Sequence, residues 1–338
     1  MGLYLMVMFD PRWSGDHGIG RVSRMLDKGL GLPHLIISGK PSSPFDPLRL
    51  LLSMLLLPKK CSVFSPGYNA PLFVVRPYIF TIHDLNHIDR PENSNFLKRL
   101  YYRFIMRRAC HGAFRVLTVS EFSRQRIVSW AQVPAKRVVN ISNGVDDCYR
   151  TDVEPYKPGY QYLLCVGNRK AHKNEARVLV AFSKAKIDSA IRLIFTGHSN
   201  NDLMLLCRQL GVENRVVFLG RVPEENLPGL YRGGLALVFP SLYEGFGLPV
   251  IESMACGTPV ITSNTTSLPE VAGDAAILVD PLSVEQISVG IERLCSDMNL
   301  REILIKRGIQ QAKKFRWDVV ASNVQDVLTD LGKGVTYQ

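Results

Sequence analysis

Paired cysteines are missing from this sequence of 338 residues. The seven cysteines are odd in number and scattered, and none belongs to a Cys-x-x-Cys pair that could hold zinc. Such cysteines are typical of reduced, structural thiols. This pattern excludes a disulfide-stabilised secreted domain and indicates a cytoplasmic protein.

The sequence also lacks an Asp-x-Asp motif and any apolar run of the roughly 20 residues that a membrane-spanning helix needs. The acidic pair Asp146 and Asp147 lies in a polar stretch and is typical of a solvated turn rather than a metal site. We therefore expect neither a bound metal nor a transmembrane segment. The 46% apolar content indicates a globular chain, which is long enough for two domains.

Acidic residues are scarce in the first half of the chain. Residues 1–150 carry 21 Lys and Arg against 10 Asp and Glu, whereas residues 151–338 carry 20 of each kind. The whole formal charge of +11 therefore lies in the first half. This asymmetry favours an anionic surface or partner for that half alone.

Short apolar runs alternate with segments of helical length along the chain. This alternation predicts an α/β protein with parallel sheets that are covered by helices on both faces. A polar, proline-containing linker at residues 146–158 divides the chain into two doubly wound domains, residues 1–150 and 151–317. Ligands of such folds bind beyond the carboxyl ends of the strands, so two domains facing each other would enclose a cleft. The predicted strands are residues 3–9, 79–82, 115–119, 162–166, 192–195, 216–219 and 235–239.

The most informative segment is the glycine loop after the predicted strand at 235–239. Gly245 and Gly247 lead into a helix that has a proline in its first turn. Free N–H groups and the positive end of a helix dipole make such a loop a site for phosphate. Glu244 on the loop and Glu252 in the first turns of the helix add two carboxylates, which are good acceptors for vicinal hydroxyls. A ligand with both phosphate and hydroxyls is expected, such as a nucleotide-sugar.

This stretch reads Glu-Gly-Phe-Gly-Leu and then Glu-x-Met-Ala-Cys-Gly-Thr-Pro-Val, which resembles the signature of the retaining glycosyltransferases of family 4. Members of that family have the GT-B fold of two Rossmann-like domains. The resemblance implies that Glu244 contacts hydroxyls of the donor sugar, that Glu252 contacts the ribose, and that the loop amides contact the diphosphate. The loop residues are Gly245, Phe246, Gly247 and Leu248.

A basic loop at residues 166–174 resembles the family's Gly-x-x-x-x-Arg-Lys-Asn element. Lys173 takes the place of its phosphate-binding lysine, and a lysine that stabilises charge on a leaving diphosphate provides electrostatic catalysis. His172 stands where the family has arginine, so the second cation must come from Arg169 or Lys170. The alternative is a basic helix start on the surface, although cations there oppose the helix dipole.

Two further elements of the first half match the family. His83 follows the predicted strand at 79–82, where the family places a histidine beside the donor sugar and the reacting centre. A lone histidine at a strand end can otherwise be a hydrogen-bonded structural residue. The loop containing Gly18 and Gly20 resembles a broken dinucleotide fingerprint, which is weak evidence for an NAD site. It is more similar to the Gly-x-Gly-Arg loop that contacts the donor diphosphate in family members, and we adopt that interpretation.

Three other segments carry weaker expectations. Val222 lies in a segment that resembles the one whose backbone holds the nucleobase, which leaves the identity of the base open. Residues 120–123 predict a helix start with Ser120 as the N-cap. The helical segment at residues 318–338 is expected to pack back onto the first domain, by analogy with other GT-B proteins.

Two segments of the first half could contact a membrane. Residues 47–60 are leucine-rich, and we expect a buried helix there, as in family members, rather than a helix on a lipid surface. Residues 98–108 mix five cations with aromatics, which is typical of interfacial attachment but also of a surface helix with one core-facing stripe. The same mixture could bind RNA, but the sequence has no nucleic-acid motif and its second half is neutral. An anionic membrane surface is therefore the expected partner.

Similarity of these segments to bacterial mannosyl- and rhamnosyltransferases implies a retaining hexosyltransferase that uses GDP-linked mannose or deoxymannose. The expected acceptor is a lipid-linked oligosaccharide or a polysaccharide, and the expected location is the inner face of the cytoplasmic membrane. No cofactor is expected. Retention without an evident nucleophile implies a front-face reaction, in which the leaving phosphate takes the acceptor's proton. The alternatives are a transferase for UDP- or dTDP-sugars, a GT-B sugar-nucleotide epimerase and an inactive binding module.

Overall fold

The computed structural model describes residues 6–15 and 18–335. The chain divides into two compact units. The first consists of Met1–Gly144 together with Arg316–Gln338, and the second is Val145–Phe315. The division falls after Gly144 rather than after residue 150, so the acidic pair at 146–147 belongs to the second unit.

A parallel sheet of five strands, in the order β1-β2-β3-β4-β5, forms the centre of the first unit. The predicted strands at 79–82 and 115–119 coincide with β3 and β4, and the described part of the strand at 3–9 is β1, since residues 3–5 lie outside the described residues. The strands are β1 (Met6–Phe9), β2 (Cys61–Ser65), β3 (Tyr78–Thr81), β4 (Arg115–Thr118) and β5 (Val138–Asn140). The helices of this unit are α1 (Gly18–Leu30), α2 (Asp46–Leu56), α3 (Asn86–Asp89), α4 (Phe96–Leu100), α5 (Arg107–Gly112), α6 (Glu121–Ala131) and α14 (Trp317–Val335), with a π-helical turn at Tyr101–Met106.

Helices cover both faces of the first sheet, because successive side chains of each strand point to opposite sides. Phe64 and Leu117 pack with α1 and with the C-terminal helix α14 on one face. Val63 and Val116 pack with α2, α5 and α6 on the other. Ser120 caps α6 as predicted, since its Oγ accepts a hydrogen bond from the N–H group of Ser123 at 3.1 Å.

Helix α2 is buried on one side only. Leu50 and Met54 lie in the core, as expected for residues 47–60. The expectation of burial is wrong for the opposite side of the helix, where Leu48 and Leu52 are about half exposed.

The second unit contains a parallel sheet of six strands in the order β11-β10-β9-β6-β7-β8. The four strands predicted in this part of the chain coincide with β6 to β9. The strands are β6 (Tyr162–Cys165), β7 (Arg192–Phe195), β8 (Val216–Phe218), β9 (Ala236–Phe239), β10 (Val260–Ser263) and β11 (Ala276–Val279). The helices are α7 (Glu175–Lys184), α8 (Asn201–Leu210), α9 (Leu227–Gly233), α10 (Leu248–Ala255), α11 (Leu268–Ala272), α12 (Val284–Ser296) and α13 (Met298–Ala312). One core cluster joins this sheet to α7, α8 and α12 through side chains such as Leu163, Phe182 and Ile291.

Candidate active site

The order of the second sheet creates a switch point between β6 and β9. The chain adds β7 and β8 on one side of β6, and then returns to place β9, β10 and β11 on the other side. The loops that follow β6 and β9 therefore leave the carboxyl edge of the sheet in opposite directions. Open α/β sheets bind their ligands in the crevice that such a divergence makes. Both sequence motifs of the second half follow these two strands.

Lys173 and Glu244 meet at this switch point. The Nζ atom of Lys173 lies 2.7 Å from Oε1 of Glu244, although the two residues are 71 positions apart in sequence. Only 15% of the lysine side chain and 13% of the glutamate side chain are exposed. The ammonium group also lies 5.0 Å from the centre of the Phe239 ring, at the end of β9. The structure thus brings the two predicted catalytic groups of this unit into one charged pair at the mouth of the crevice.

Hydrogen bonds between the two loops explain why this pair forms. The backbone carbonyl of His172 accepts from the N–H group of Leu242 at 2.7 Å and from the hydroxyl of Ser241 at 2.9 Å. The Asn174 amide donates to the carbonyl of Pro240 at 2.8 Å. Asn174 has a left-handed backbone (φ 61°), which asparagine tolerates better than most residues. Lys173 lies between these attachments, so the loop that carries it is fixed against the loop that carries Glu244.

The glycine loop after Glu244 leads directly into α10. Gly247 has a φ of +103°, and a side chain there would lie 2.6 Å from Leu268, so this position requires glycine. The Ser267 hydroxyl donates to the carbonyls of Glu244 at 2.9 Å and Phe246 at 3.0 Å. The Phe246 ring is buried and packs edge-on against Phe315, with ring centres 5.5 Å apart. Helix α10 begins at Leu248, and the first N–H groups of a helix have no acceptor within it.

Glu252 lies one turn into α10 and is buried. Its Oε2 atom accepts a hydrogen bond from the Tyr231 hydroxyl at 2.8 Å. Burial raises the pKa of Tyr231 well above its usual value, so this phenol stays a donor throughout the physiological range. The predicted ribose contact of Glu252 stays a prediction, and Tyr231 is a partner that the motif alone did not reveal.

The guanidinium of Arg169 is engaged by groups of this chain. It donates to the carbonyls of Thr196 at 2.6 Å, Gly197 at 2.9 Å and His198 at 2.6 Å, and it forms an ion pair with Glu175. Burial raises the pKa of the Glu175 carboxyl. Arg169 therefore joins its own loop to the end of β7, and its predicted contact with the donor phosphate stays a prediction. The exposed Lys170 has no such set of bonds among the described residues, and it is the better candidate for the second phosphate cation.

Val222 lines a cavity of about 990 Å³ within the second unit. One wall comes from the segment after β8, including Arg221 and Val222, and the opposite wall comes from residues 147–156. Gly220 before them has a left-handed backbone with φ +70°. The volume is large enough to hold a nucleoside-sized group. The linker residues of this wall were not singled out by the sequence motifs.

The remaining predicted residues lie in the first unit. His83 follows β3 at the carboxyl edge of the first sheet, is buried, and has its Nε2 atom 2.9 Å from the carbonyl of Pro66. Gly18 and Gly20 form the first turn of α1, and residues 16–17 of their loop lie outside the described residues. A Cβ atom on Gly20 would lie 2.1 Å from the carbonyl oxygen of Gly15, so the loop packs directly on this glycine.

A buried charged network near these residues was not predicted. Arg12 binds the carboxylates of Asp10 at 2.7 Å and Asp46 at 2.5 Å. Asn69 donates to Asp10 at 2.7 Å and accepts from the indole N–H of Trp13 at the same distance. The network ties the end of β1 to the first residue of α2.

Over residues 6–15 and 18–335, no group of three or more His, Cys, Asp or Glu side chains is arranged to hold a metal ion. Among the same residues, every helix is too short or too polar to cross a membrane. All seven cysteines are free thiols, and five of them are buried.

Comparison with known proteins agrees with this architecture. Residues 152–311 match the family model described as "Glycosyl transferases group 1", and residues 33–148 match the one described as "Glycosyltransferase Family 4". The chain is 36% identical over 268 residues to O-antigen chain mannosyltransferase B of Escherichia coli, which covers 75% of this chain and 70% of that protein. It is 31% identical over 221 residues to O-antigen chain mannosyltransferase RfbU of Salmonella typhimurium, covering 65% and 60%.

A solved structure of Anabaena Alr3699/HepE superposes with a TM-score of 0.76. The match covers 97% of this chain and 100% of the Anabaena chain, at 17% sequence identity. At such identity the likeness concerns the fold, which is of the GT-B type with two Rossmann-like sheets. From its sequence matches and its fold, the chain belongs to the group 1 glycosyltransferases of glycosyltransferase family 4.

Proposed function

We propose that this protein transfers mannose, or a deoxymannose, from a GDP-linked donor to a lipid-linked or polysaccharide acceptor with retention of configuration. The observation that carries this proposal is the Lys173–Glu244 pair at the switch point, beside the first turn of α10. The nature of the sugar is supported by the relatives above, whose names describe them as mannosyltransferases. Neither name describes a donor nucleotide, so GDP rests on the sequence resemblance.

The pair suggests how the site exchanges partners when a donor binds. Lys173 is held by one carboxylate, and a diphosphate offers more negative charge to the same ammonium group. The helix dipole of α10 favours the diphosphate at this place as well. Once Lys173 turns to the phosphate, Glu244 is available to accept hydrogen bonds from hydroxyls of the sugar. The ion pair thus keeps both side chains oriented before the donor arrives.

In the reaction that we propose, an acceptor hydroxyl attacks the anomeric carbon while the bond from that carbon to the diphosphate breaks. The diphosphate leaves with the electron pair of that bond and accepts the proton of the hydroxyl. Lys173, Lys170 and the α10 dipole stabilise its growing negative charge, so no metal is required. Attack from the face that the leaving group vacates gives retention.

The test is a transfer assay with GDP-mannose, UDP-glucose and dTDP-rhamnose on a short soluble mannoside acceptor. We expect transfer from GDP-mannose, an α-linked product by NMR, and unchanged turnover in EDTA. Preference for a UDP- or dTDP-sugar would contradict the donor, and activity that is lost in EDTA and restored by Mg²⁺ or Mn²⁺ would contradict metal independence. Consumption of the donor without an acceptor would indicate an epimerase instead.

Binding of the free nucleotides supplies a second readout. A ligand at about 100 times its Kd stabilises the native state by roughly 2.7 kcal/mol. Thermal unfolding with GDP, UDP and dTDP in parallel should therefore show the largest increase in Tm for GDP. Stabilisation without any transfer would indicate an inactive binding module.

Attachment to the inner face of the cytoplasmic membrane is also part of the proposal. The structural division leaves the whole excess charge on the first unit, which has 22 Lys and Arg against 11 Asp and Glu. Within the cationic segment, residues 96–108, the side chains of Phe96, Leu97 and Phe104 are 74%, 69% and 58% exposed. Exposed aromatics among cations suit a bilayer interface. The free thiols suit a reducing compartment.

Replacing the five cations of this segment by Gln should weaken binding to vesicles rich in anionic lipid. Each cation near such a surface contributes about 1 kcal/mol, and salt screens the attraction over about 8 Å. Sedimentation with vesicles at low and high salt measures the effect. The control replaces five exposed cations of the second unit. Equal binding of both variants would show that the charge serves another partner. The test residues are Lys98, Arg99, Arg103, Arg107 and Arg108, and the control residues are Lys184, Lys186, Arg208, Lys306 and Lys313.

A further inference from the structure

Helix α2 presents an apolar stripe to solvent. On its core side, Leu50 and Met54 are fully buried, as described above. Its outer side carries large side chains that recur every three or four positions, which is the spacing of one helix face. A surface helix of a globular protein ordinarily has polar residues there. The exposed fractions are 68% for Phe45, 48% for Leu48, 51% for Leu52, 54% for Leu55 and 87% for Leu56.

The charges around this stripe favour lipid over a protein partner. Asp46 is the one acidic residue between positions 45 and 60, and it is buried against Arg12. Lys59 and Lys60 follow the helix and are exposed. An apolar face with cations and no exposed acid is typical of helices that lie in the interface of anionic bilayers.

The helix is held at both ends, so it needs no ordering when it meets a surface. At its start, Asp46 is bound by Arg12. At its end, Arg76 donates to the carbonyls of Met54 at 2.7 Å and Leu57 at 2.6 Å. A preformed helix presents its apolar face without the entropy cost of folding on the membrane.

The stripe also adjoins the cationic segment. The N–H group of Leu72 donates to the carbonyl of Pro47 at 3.0 Å, at the start of α2. The next residue, Phe73, is 44% exposed and lies 4.2 Å below the guanidinium of Arg108. One short segment therefore connects the apolar stripe of α2 to the cations at the end of the cationic segment.

We propose that α2 is an interfacial helix whose leucine face inserts among the acyl chains of an anionic bilayer. The proposal rests on the membrane attachment proposed above, and not on the transfer chemistry. The cationic segment supplies the attraction that salt screens. The leucine face supplies a second attraction that high salt does not remove, because burial of apolar surface does not depend on charge.

The experiment compares vesicle binding of the full chain with two variants at low salt and at 0.5 M NaCl. The test variant replaces Leu48, Leu52, Leu55 and Leu56 by Gln, which is a good helix former. The control variant replaces four apolar residues of the second unit with similar exposure, namely Leu205, Leu282, Met298 and Ile303. Vesicles contain phosphatidylcholine with or without phosphatidylglycerol. The wild type and the control variant should keep part of their vesicle binding at 0.5 M NaCl. At that salt concentration, the test variant should bind the vesicles about tenfold more weakly than the wild type, or weaker still.

A separate measurement reports insertion directly. In a Leu52→Trp variant, brominated acyl chains should quench tryptophan fluorescence more than they do in the wild type. Equal quenching in Leu52→Trp and the wild type would overturn the proposal. It would also be overturned if high salt reduced vesicle binding equally in the wild type and the test variant. A change from dimer to monomer in the test variant without an effect on lipid binding would assign the stripe to a second copy of the chain. Stabilisation by GDP and transfer to a soluble acceptor should be unchanged in the test variant, so failure here is distinguishable from failure of the proposed function.

Discussion

Replacing Glu244 or Lys173 by Ala should reduce turnover by about 100-fold or more while the protein stays folded, since removal of one such electrostatic contact typically has this cost. The two groups form one pair, so the double variant should lose far less than the product of the single losses. Glu244→Gln keeps a hydrogen-bond acceptor and removes the charge. A loss in Glu244→Gln as large as in Glu244→Ala would indicate that the charge itself matters.

Steady-state kinetics with the donor and acceptor varied separately measure this prediction. A fall in kcat at saturating donor would locate the effect in the reaction, whereas a rise in KM alone would indicate binding. The matched control is the pair of Lys184 and Glu285 in the same unit, which is 3.8 Å apart and has side chains 59% and 76% exposed. Alanine at either control position should leave turnover unchanged. Turnover at the wild-type rate in Glu244→Ala or Lys173→Ala would exclude that residue from the reaction.

The strands and the glycine loop could be predicted because they are local. A buried strand, two glycines and a proline describe a strand-loop-helix unit wherever it lies in the fold. The contact of Lys173 with Glu244 is different, since it requires β9 to lie beside β6 rather than beside β8. Strand order is a property of the whole sheet. The resemblance gave each residue a role, but the contact itself is visible only in three dimensions.

Two features of the structure could not be predicted from sequence patterns. Arg169 has the residue type of a phosphate ligand, but its guanidinium is engaged by carbonyls at the end of β7. Those acceptors lie nearly 30 positions further along the chain, so the motif could not reveal them. In the leucine-rich segment, apolar residues occupy every side of α2, and hydrophobic periodicity therefore could not tell the core side from the exposed side.

Replacing Arg12 by Met should cause a large loss of stability in the first unit. Asp10 is fully buried, Asp46 is nearly so, and Arg12 is bonded to both carboxylates. Removing one partner from a buried ionic group costs about 3–5 kcal/mol, because the remaining charges lose their compensation. Methionine fills similar volume, so the loss reports charge more than packing. Chemical denaturation followed by tryptophan fluorescence would measure it, since Trp13 lies in the same network.

The stability lost in Arg12→Met should become smaller as the pH falls. Burial already raises the pKa of Asp46 above its unfolded value, and without Arg12 this upward shift should increase. The folded variant then binds more protons than the unfolded chain, so its stability should recover as the pH falls from 7.5 toward 5. Asp46→Asn in the Arg12→Met background should likewise restore part of the loss. The control is Arg316→Met, which breaks an exposed pair with Asp318 at the same two-residue spacing and should leave the unfolding midpoint unchanged. If Arg12→Met is less stable than the wild type by the same amount at pH 7.5 and pH 5, Arg12 stabilises the unit through packing. If Arg12→Met and the wild type have equal unfolding midpoints, the network does not hold α2 in place.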